Sequence, residues 1–410
     1  MNNLIRLFIR RSSKLLLDAD FGRGLGVITP YTHRLRTLRC GAASIQNFTG
    51  FCNRPAPLLA ALHILPHPDS GYVGPLPTLF NDNLPSLREL EVNDFNPFPN
   101  NNFRGLSSFR LCFSPYSADP MFWTKLFAML LGSPQLKELS LRLNPNRDYF
   151  LPIQDIPTPV ALRALQKLHI DGFTSTIIRQ FLNFVDLASN GIVIQFANVD
   201  DEIDWVFPPI LPPELSFHAV TCLEVIYLSG RGFAMQGTNH EMGIGVLKRA
   251  DSAWMHETIF SNFAPAWTNS QHSLKELRIH INREDSYKPP PLSRFSLLET
   301  LVVRAPAGRT PISLLLQMLD INRGVPCPLL STLDLSGGLN MGSLVKVLKA
   351  RSIAGNRLQS LRLGSTRGRV PGDIKSVRGY VDELEIFDTC AESGRGMKLS
   401  EFFPTDLGEL

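Results

Sequence analysis

A six-residue pattern of apolar and polar positions recurs along the whole chain. Its first, fourth and sixth positions are apolar, as in Leu136–Leu141 (LKELSL), and the pattern returns at Leu165–Ile170 and Leu274–Ile279. In a β-strand, successive side chains point to opposite faces, so positions four and six share one face and positions three, five and seven share the other. Each hexamer therefore predicts a short strand with one apolar face and one polar face.

The spacing of the hexamers favours a repeat protein. Leu59 and Leu87 stand about 28 residues apart, and neighbouring units are mostly separated by roughly 19 to 32 residues. A gap of about two periods before Leu274 indicates an insertion or a degenerate repeat over residues 231–273. The other members of this series of about fourteen units begin at Leu4, Leu35, Leu59, Leu87, Leu106, Ile192, Val220, Leu298, Leu330, Leu358 and Val381.

Several segments between the hexamers predict helices. Residues 120–131, 174–188, 310–319 and 341–350 carry apolar residues at intervals of three and four, which is the spacing of one helix face. Thr174 or Ser175 is placed to cap the second of these helices. Other connecting segments are rich in Pro and Asn and indicate irregular turns.

This alternation predicts the fold class. One strand and its return segment cannot bury an apolar face alone, so neighbouring units must stack. Strands and helices that alternate at a regular step indicate an α/β fold with a parallel sheet. We therefore expect residues 1–410 to form a single irregular solenoid, a curved horseshoe with the sheet on its concave side and the helices and irregular segments on its convex side.

Composition and charge narrow the class of partner and the compartment. The formal net charge of +4 does not by itself indicate nucleic acid or a membrane, and no apolar run reaches the roughly 18–20 residues that would span a bilayer. Six scattered cysteines favour buried thiols in a reducing compartment. We expect a cytoplasmic or nuclear protein, with a mitochondrial transit peptide at residues 1–17 as the alternative to a first repeat strand.

No motif in the sequence indicates catalysis, a cofactor or a metal. His63 and His67 are four residues apart, but Pro66 prevents the helix that would direct both side chains at one metal ion. The chain is therefore expected to be non-enzymatic and without a cofactor. The alternative is an enzyme that uses histidines of residues 231–273, where no convergent set of acids and bases is visible.

The polar face of the predicted strands supplies the candidate binding residues. Positions five and seven of the hexamers carry charges of both signs, and solenoids hold partners on their concave faces. Mixed charge favours a protein partner over nucleic acid; the alternative is an ordinary solvated sheet face. The candidate partner-binding residues are Arg110, Ser140, Arg142, His169, Asp171, Glu224, Arg278, His280, Asp334 and Arg362.

The hexamers resemble leucine-rich repeats, and one longer passage resembles a narrower family. The passage Leu344–Gly364 (LVKVLKARSIAGNRLQSLRLG), together with Tyr380–Ile386 (YVDELEI), is similar to the repeat region of basidiomycete F-box proteins. In that family an N-terminal F-box binds the adaptor of a cullin–RING ubiquitin ligase, and the repeats select the substrate. No F-box is visible in this chain, because a repeat strand is predicted directly after Met1.

The resemblance implies a role in substrate recognition for an F-box type ubiquitin ligase. A protein substrate would then lie on the concave face, and the ligase adaptor would be a further partner if an F-box precedes Met1. The alternative is a non-enzymatic binding scaffold that has no connection with ubiquitin.

Overall fold

The computed structural model describes most of the predicted strands and several of the connecting segments. The described residues form an α/β fold with large parallel sheets and cluster into two compact units, residues 1–192 and 193–410. The hexamer at Leu4 and most of the segment weighed as a transit peptide lie outside the described residues. The described residues are 15–21, 28–41, 53–65, 78–93, 101–113, 122–143, 159–187, 192–197, 221–228, 232–238, 242–249, 274–281, 292–305, 312, 316, 319, 326–365 and 374–388.

The first unit is built on a parallel sheet. Its described strands are β1 (Leu17–Phe21), β2 (Leu35–Gly41), β3 (Ala61–Leu65), β4 (Glu89–Asn93), β5 (Ser108–Phe113), β6 (Glu138–Leu143), β7 (Val160–Leu162), β8 (Lys167–Asp171) and β9 (Val185–Leu187). The sheet runs in the order β1–β2–β3–β4–β5–β6–β8, and β7 pairs with β9 in a small separate sheet. The predicted hexamers lie in β2 to β6 and in β8, whereas the repeat pattern did not predict β1.

One face of this sheet forms the core, as the alternation predicts. On β6, Leu139 and Leu141 are each 1% exposed, whereas Ser140 between them is partly exposed. The parallel register sets Leu139 beside Phe109 of β5 and Leu168 of β8. Such a side chain contributes roughly 1.5–3 kcal/mol when it is fully buried. The stacked strands therefore share one continuous apolar layer.

The same backbone hydrogen bonds recur where the strands begin. The N–H groups of Lys137 and Glu138 both donate to the Ser107 carbonyl, at 2.8 and 3.1 Å. A carbonyl that receives two such N–H groups satisfies donors that would otherwise be left unpaired between neighbouring units. The repeats of sequence are thus repeats of local structure. The same arrangement is found at the carbonyls of Ala60, Arg88, Lys137, Thr221, Lys275, Glu299 and Ser331.

Two predicted helices lie in the first unit. They are α1 (Phe122–Leu131) and α2 (Ser175–Asn183), and the Thr174 hydroxyl caps α2 by accepting a hydrogen bond from the Ile177 N–H at 3.4 Å. The predicted extension of the second helix to residue 188 is wrong. Residues after Asn183 pair as β9 with β7, which gives their backbone sheet hydrogen bonds in place of helical ones.

An aromatic cluster joins α1 to α2. Trp123 and Phe127 of α1 pack against Phe181 of α2, with ring centroids 6.4 and 5.7 Å apart. Phe173, which lies between β8 and α2, is 6.5 Å from Trp123. Aromatic side chains bury large apolar areas at such distances, so the cluster holds the two helices of the first unit against each other.

The second unit contains a longer sheet with an inserted hairpin. Its described strands are β10 (Ile192–Ala197), β11 (Cys222–Leu228), β12 (Gly232–Thr238), β13 (Met242–Arg249), β14 (Glu276–Ile281), β15 (Thr300–Arg304), β16 (Thr332–Ser336), β17 (Leu358–Ser365) and β18 (Val381–Asp388). From β11, parallel pairing continues through β14, β15, β16, β17 and β18 in order.

The segment 231–273 contains the hairpin. Strand β12 pairs antiparallel with β11 on one side and with β13 on the other. The repeat pattern predicted neither strand, because these strands lack the leucine spacing and carry glycines such as Gly237 and Gly245 at positions within the ladder. The remainder of the segment, from residue 250 to 273, lies outside the described residues, as do His240 and His256.

The apolar layer of the second unit is built like that of the first. Leu277, Leu301, Leu333 and Leu361 stand side by side on neighbouring strands, and each is at most 1% exposed. These are the fourth positions of their hexamers, so the predicted inward-facing position is confirmed here.

Two described helices lie in the second unit. They are α3 (Met341–Ile353), which Asn340 caps through the Ser343 N–H at 3.1 Å, and α4 (Ile374–Arg378). α3 is longer than predicted and buries Val347, whereas Val345 is partly exposed. Of the helix predicted over residues 310–319, only three residues are described, and all three are buried: Ile312, Leu316 and Leu319.

A buried arginine connects α3 to the turn that leads into β16. Arg351 is 1% exposed and donates hydrogen bonds to the carbonyls of Pro326, Cys327 and Leu330, at 2.8, 3.0 and 3.3 Å. Burial lowers the pKa of Arg351. The guanidinium therefore binds three backbone carbonyls at once. This arrangement, the Arg351 clamp, was not predicted from the sequence pattern.

Candidate binding surface

In the first unit the candidate residues stand in a row across the polar face of the sheet. Register aligns Glu91 of β4, Arg110 of β5, Ser140 of β6 and His169 of β8, which are the fifth positions of four successive hexamers. Neighbouring strands lie about 4.8 Å apart. The structure therefore brings Arg110, Ser140 and His169 together as direct neighbours.

A second row lies one pleat further along the strands. Arg142 of β6 is aligned with Asp171 of β8, and the Arg142 Nε is 3.2 Å from the Asp171 Oδ2. The Asp171 side chain is only 6% exposed, whereas that of Arg142 is 40% exposed. Arg142 thus covers Asp171 and is itself the more accessible member of the pair.

A half-open pocket of about 380 Å³ lies on this polar face, across β3 to β6 and the turns that lead into them. The candidate residue Arg110 lines it, and most of the other lining residues were not predicted as binding residues because they stand at positions two and three of the hexamers. The pocket is lined by His63, Glu89, Leu90, Glu91, Ser107, Ser108, Arg110, Lys137, Glu138 and Gln166.

Some of the charges in the pocket are paired and others are not. The His63 Nδ1 donates to the Glu91 carboxylate at 2.9 Å, and this hydrogen bond lowers the pKa of Glu91 although burial opposes the shift. Arg110 lies 3.6 Å from Glu138, a loose pair whose side chains are 55% and 46% exposed. Exposed pairs of this kind contribute only about 0.2–1 kcal/mol, so both groups can exchange partners at low cost.

In the second unit the candidate residues form a comparable row. Glu224 of β11 is followed in register by Arg278, Val302, Asp334 and Arg362 on the next strands. Val302 interrupts the row with an apolar side chain, as the sequence indicated. Glu224 and Asp334 are buried, at 5% and 3% exposed, because longer side chains on neighbouring strands cover them.

Asp334 is the centre of an internal charge network. The two terminal nitrogens of Arg304 donate to its carboxylate, one of them at 2.9 Å, and Arg362 donates to it at 3.0 Å. Arg362 also donates to Glu385, at 2.8 and 3.3 Å, and these hydrogen bonds lower the pKa of Glu385. The arginines of this network are therefore already engaged inside the protein.

Phe387 of β18 completes this network, and the sequence analysis did not single it out. Its ring centroid lies 4.6 Å from the Arg304 guanidinium and 5.0 Å from that of Arg362. Ser336 and Gly364 occupy the equivalent positions on the two strands between β15 and β18. Because Ser336 and Gly364 are small, they leave room for the ring. Small residues at these two positions are the sequence feature from which the contact could have been predicted.

The remaining candidates of the second unit are also paired. The His280 Nε2 lies 2.7 Å from the Glu224 Oε1, although the contact lacks the alignment of a hydrogen bond. The Arg278 Nε donates to Glu276 at 2.7 Å. Burial alone would lower the pKa of Arg278, but its hydrogen bond with Glu276 raises it.

None of the four described cysteines is in a disulfide bond, and three of them are poorly suited to nucleophilic chemistry. Burial raises the pKa of the Cys40 and Cys327 thiols to about 12, and that of Cys222 to about 11. Cys112 is partly exposed. A thiol with a raised pKa is protonated near neutral pH and is a weak nucleophile.

The described part of the chain shows neither a cluster of metal ligands nor a membrane-spanning helix. Among these residues no group of three or more His, Cys, Asp or Glu side chains is placed to hold a metal ion. Nor does any described helix have the length and apolarity that crossing a membrane requires.

Comparison with known proteins adds no assignment. The chain matches no model of a protein family, no curated protein and no solved structure.

Proposed function

We propose that this chain is a non-enzymatic leucine-rich repeat solenoid that binds a protein on the polar face of its parallel sheets. The repeated strand register and the repeated hydrogen bonds at the strand entrances support the repeat architecture. Such repeats present extended polar surfaces to their partners. The face carries both signs of charge, which suits a polypeptide better than a nucleic acid backbone.

One observation carries this proposal. The row from Glu91 through Arg110 and Ser140 to His169 places partly or fully exposed polar side chains next to a pocket of about 380 Å³. An ordinary solvated sheet face does not require such a pocket. Charged and hydroxyl side chains around a concave surface can fix the orientation of a bound polypeptide.

The test is a quantitative affinity purification from cells that express the tagged chain. Ser140→Arg places a bulky side chain on the polar face, and Ala128→Arg places the same side chain on an exposed position of α1. We expect polypeptides that co-purify with the wild type to be retained by Ala128→Arg and reduced about tenfold or more by Ser140→Arg, because a clash at the centre of an interface removes much of its affinity. Equal recovery with both variants would contradict binding on this face.

A narrower proposal is that the partner is the substrate of an F-box type ubiquitin ligase. It is supported by the resemblance of residues 344–364, which cover most of α3 and of β17, to the repeats of that family. A substrate would be stabilised several-fold when this gene is deleted or the proteasome is inhibited. A partner with unchanged turnover would favour the alternative, a binding scaffold without a role in ubiquitination. In either case we propose a cytoplasmic or nuclear location.

A further inference from the structure

The two units use the charges of their polar faces differently. In the second unit Asp334 engages both Arg304 and Arg362, and Arg362 also holds Glu385, so these charges satisfy one another. In the pocket of the first unit the ion pair between Arg110 and Glu138 is long and largely exposed. The pair formed by Arg110 and Glu138 is therefore more accessible to a partner than Asp334 and its two arginines.

One residue that lines the pocket is a serine between two carboxylates. Register places Ser108 of β5 directly between Glu89 of β4 and Glu138 of β6. The Ser108 hydroxyl donates to Glu138 at 3.4 Å, and the Glu89 side chain is exposed without a described partner. Each carboxylate stands on a strand about 4.8 Å from Ser108. A cationic side chain that enters the pocket above Ser108 would meet a carboxylate on each side.

A second serine lies diagonally next to the first, and two arginines stand around it. Ser140 of β6 has Arg110 and His169 beside it on the neighbouring strands, and on its own strand it lies between Glu138, two residues before it, and Arg142, two residues after it. All of these side chains share the polar face because strand residues alternate between faces. An anionic side chain above Ser140 would meet the guanidinium groups of Arg110 and Arg142. The short serine side chain leaves room for it.

The spacing of the two serines suits an extended peptide. Ser108 and Ser140 are separated by one strand and two residues along the strand, which corresponds to about 8 Å. Side chains two residues apart in an extended peptide lie on one side of it, about 6.7 Å apart. Resting on the proposed protein-binding function, we infer that the first unit binds an extended peptide segment with a basic residue above Ser108 and an acidic residue two positions away above Ser140.

The test begins with random 12-residue peptides displayed on phage and selected against the full chain. We expect the selected peptides to carry Lys or Arg two positions from Asp or Glu. A synthetic peptide with the selected sequence should lose about tenfold in affinity for Glu89→Lys, because like charges then face each other. Ser108→Tyr, which fills the pocket, should abolish binding, whereas Ala128→Tyr on α1 should leave it unchanged.

A double-mutant cycle identifies the contact itself. The basic residue of the peptide is changed to Gln and combined with Glu89→Gln in the chain, with Glu299→Gln in the second unit as the matched control. We expect the effects of the two changes on affinity to be non-additive by about threefold or more for Glu89, because residues in contact are coupled. For Glu299, which does not touch the peptide in this account, we expect the effects to be additive. Circular dichroism melting of each variant verifies that it is folded.

Three outcomes would overturn the inference. They are selected peptides without a paired basic and acidic residue, additive effects at Glu89, and a library that yields no binder. If Ser140→Arg still removes binding of the selected peptides while the Glu89 cycle is additive, the inference fails and the proposed function stands. If binding of those peptides is indifferent to both Ser140→Arg and Ser108→Tyr, the proposed function fails as well.

Discussion

At the scale of single residues, position on the sheet face does not decide what a charged side chain does. Asp334 and Glu138 occupy the same polar face of their units, but Asp334 is buried beneath two arginines whereas the Glu138 side chain is 46% exposed. A buried charge that is hydrogen-bonded to its neighbours is needed by the fold, because removing one partner leaves the other unpaired, whereas an exposed charge with a loose partner is available for recognition. The side chains on adjacent strands therefore determine whether a charged residue belongs to the fold or is available for recognition.

The apolar position of the repeat can be tested at Leu139. Because its side chain is 1% exposed between two neighbouring strands, Leu139→Ala should lower the free energy of unfolding by about 2–5 kcal/mol. Leu131→Ala is the matched control, since Leu131 is 52% exposed at the end of α1 and should change stability by less than about 0.5 kcal/mol. Urea unfolding measures both. Equal effects would show that Leu139 is not part of the core.

The clamp at Arg351 makes a similar prediction for a charged residue. Arg351→Met fills much of the same space but removes the guanidinium donors of three buried carbonyls. The Cys327 carbonyl keeps the Leu330 N–H as a donor, so the main loss is at Pro326 and Leu330, and we expect the free energy of unfolding to fall by at least about 2 kcal/mol. Lys349→Met on the exposed side of the same helix should be close to neutral. Thermal melting of the two variants compares them directly, and a stable Arg351→Met protein would refute the clamp.

The hydrogen bond between His63 and Glu91 predicts a pH dependence. The folded-state pKa of Glu91 lies below its ordinary value of 4.5. Ionised Glu91 therefore stabilises the fold fully above about pH 4.5, and this stabilisation is lost as the pH falls through the lowered pKa. The stability difference between wild type and Glu91→Gln should shrink at acidic pH. A difference that stays constant down to about pH 3 would contradict the assignment.

At the scale of elements, the strands were predictable and the inserted hairpin was not. A hexamer such as Leu330–Leu335 encodes a strand through its own apolar positions, and β16 lies there. Strand β12 is held by antiparallel pairing with β11, and β13 by antiparallel pairing with β12, and this pairing does not require the leucine spacing that is missing from Gly232–Arg249. The overlong prediction for α2 has the same cause, because tertiary pairing of β9 with β7 outweighs local helical periodicity.

A glycine at the end of β8 tests how closely neighbouring repeats approach. Gly172 has a φ of +79°, and a Cβ there would lie 2.5 Å from the Leu143 carbonyl oxygen. Gly355 has the same φ but open space around it. Gly355→Ala should cost about 1–2 kcal/mol from backbone strain alone. Gly172→Ala should cost about 1–3 kcal/mol more from the clash, as measured by urea unfolding; equal losses would contradict the close approach.

At the scale of the whole molecule, the sequence predicted which face would be polar but not which part of it would be open. The ten candidate residues do lie on the polar faces of the two sheets. The pocket was not foreseen, because Glu89, Ser108 and Lys137 contribute to it from positions two and three of different hexamers. Phe387 was missed because its contact with Arg304 spans several strands. A local sequence pattern determines which face of a strand is polar, whereas a pocket depends on the packing of side chains from neighbouring strands.

The most direct test of binding on the polar face is carboxyl footprinting of this chain with and without a co-purified polypeptide. Carbodiimide labelling, located by mass spectrometry, should decrease at Glu89 and Glu138 when the polypeptide is bound. Labelling of Asp186 and Glu299, which are exposed and do not line the pocket, should stay unchanged. Protection of Asp186 or Glu299 in place of Glu89 and Glu138 would contradict the account, because the partner would then lie elsewhere on the molecule.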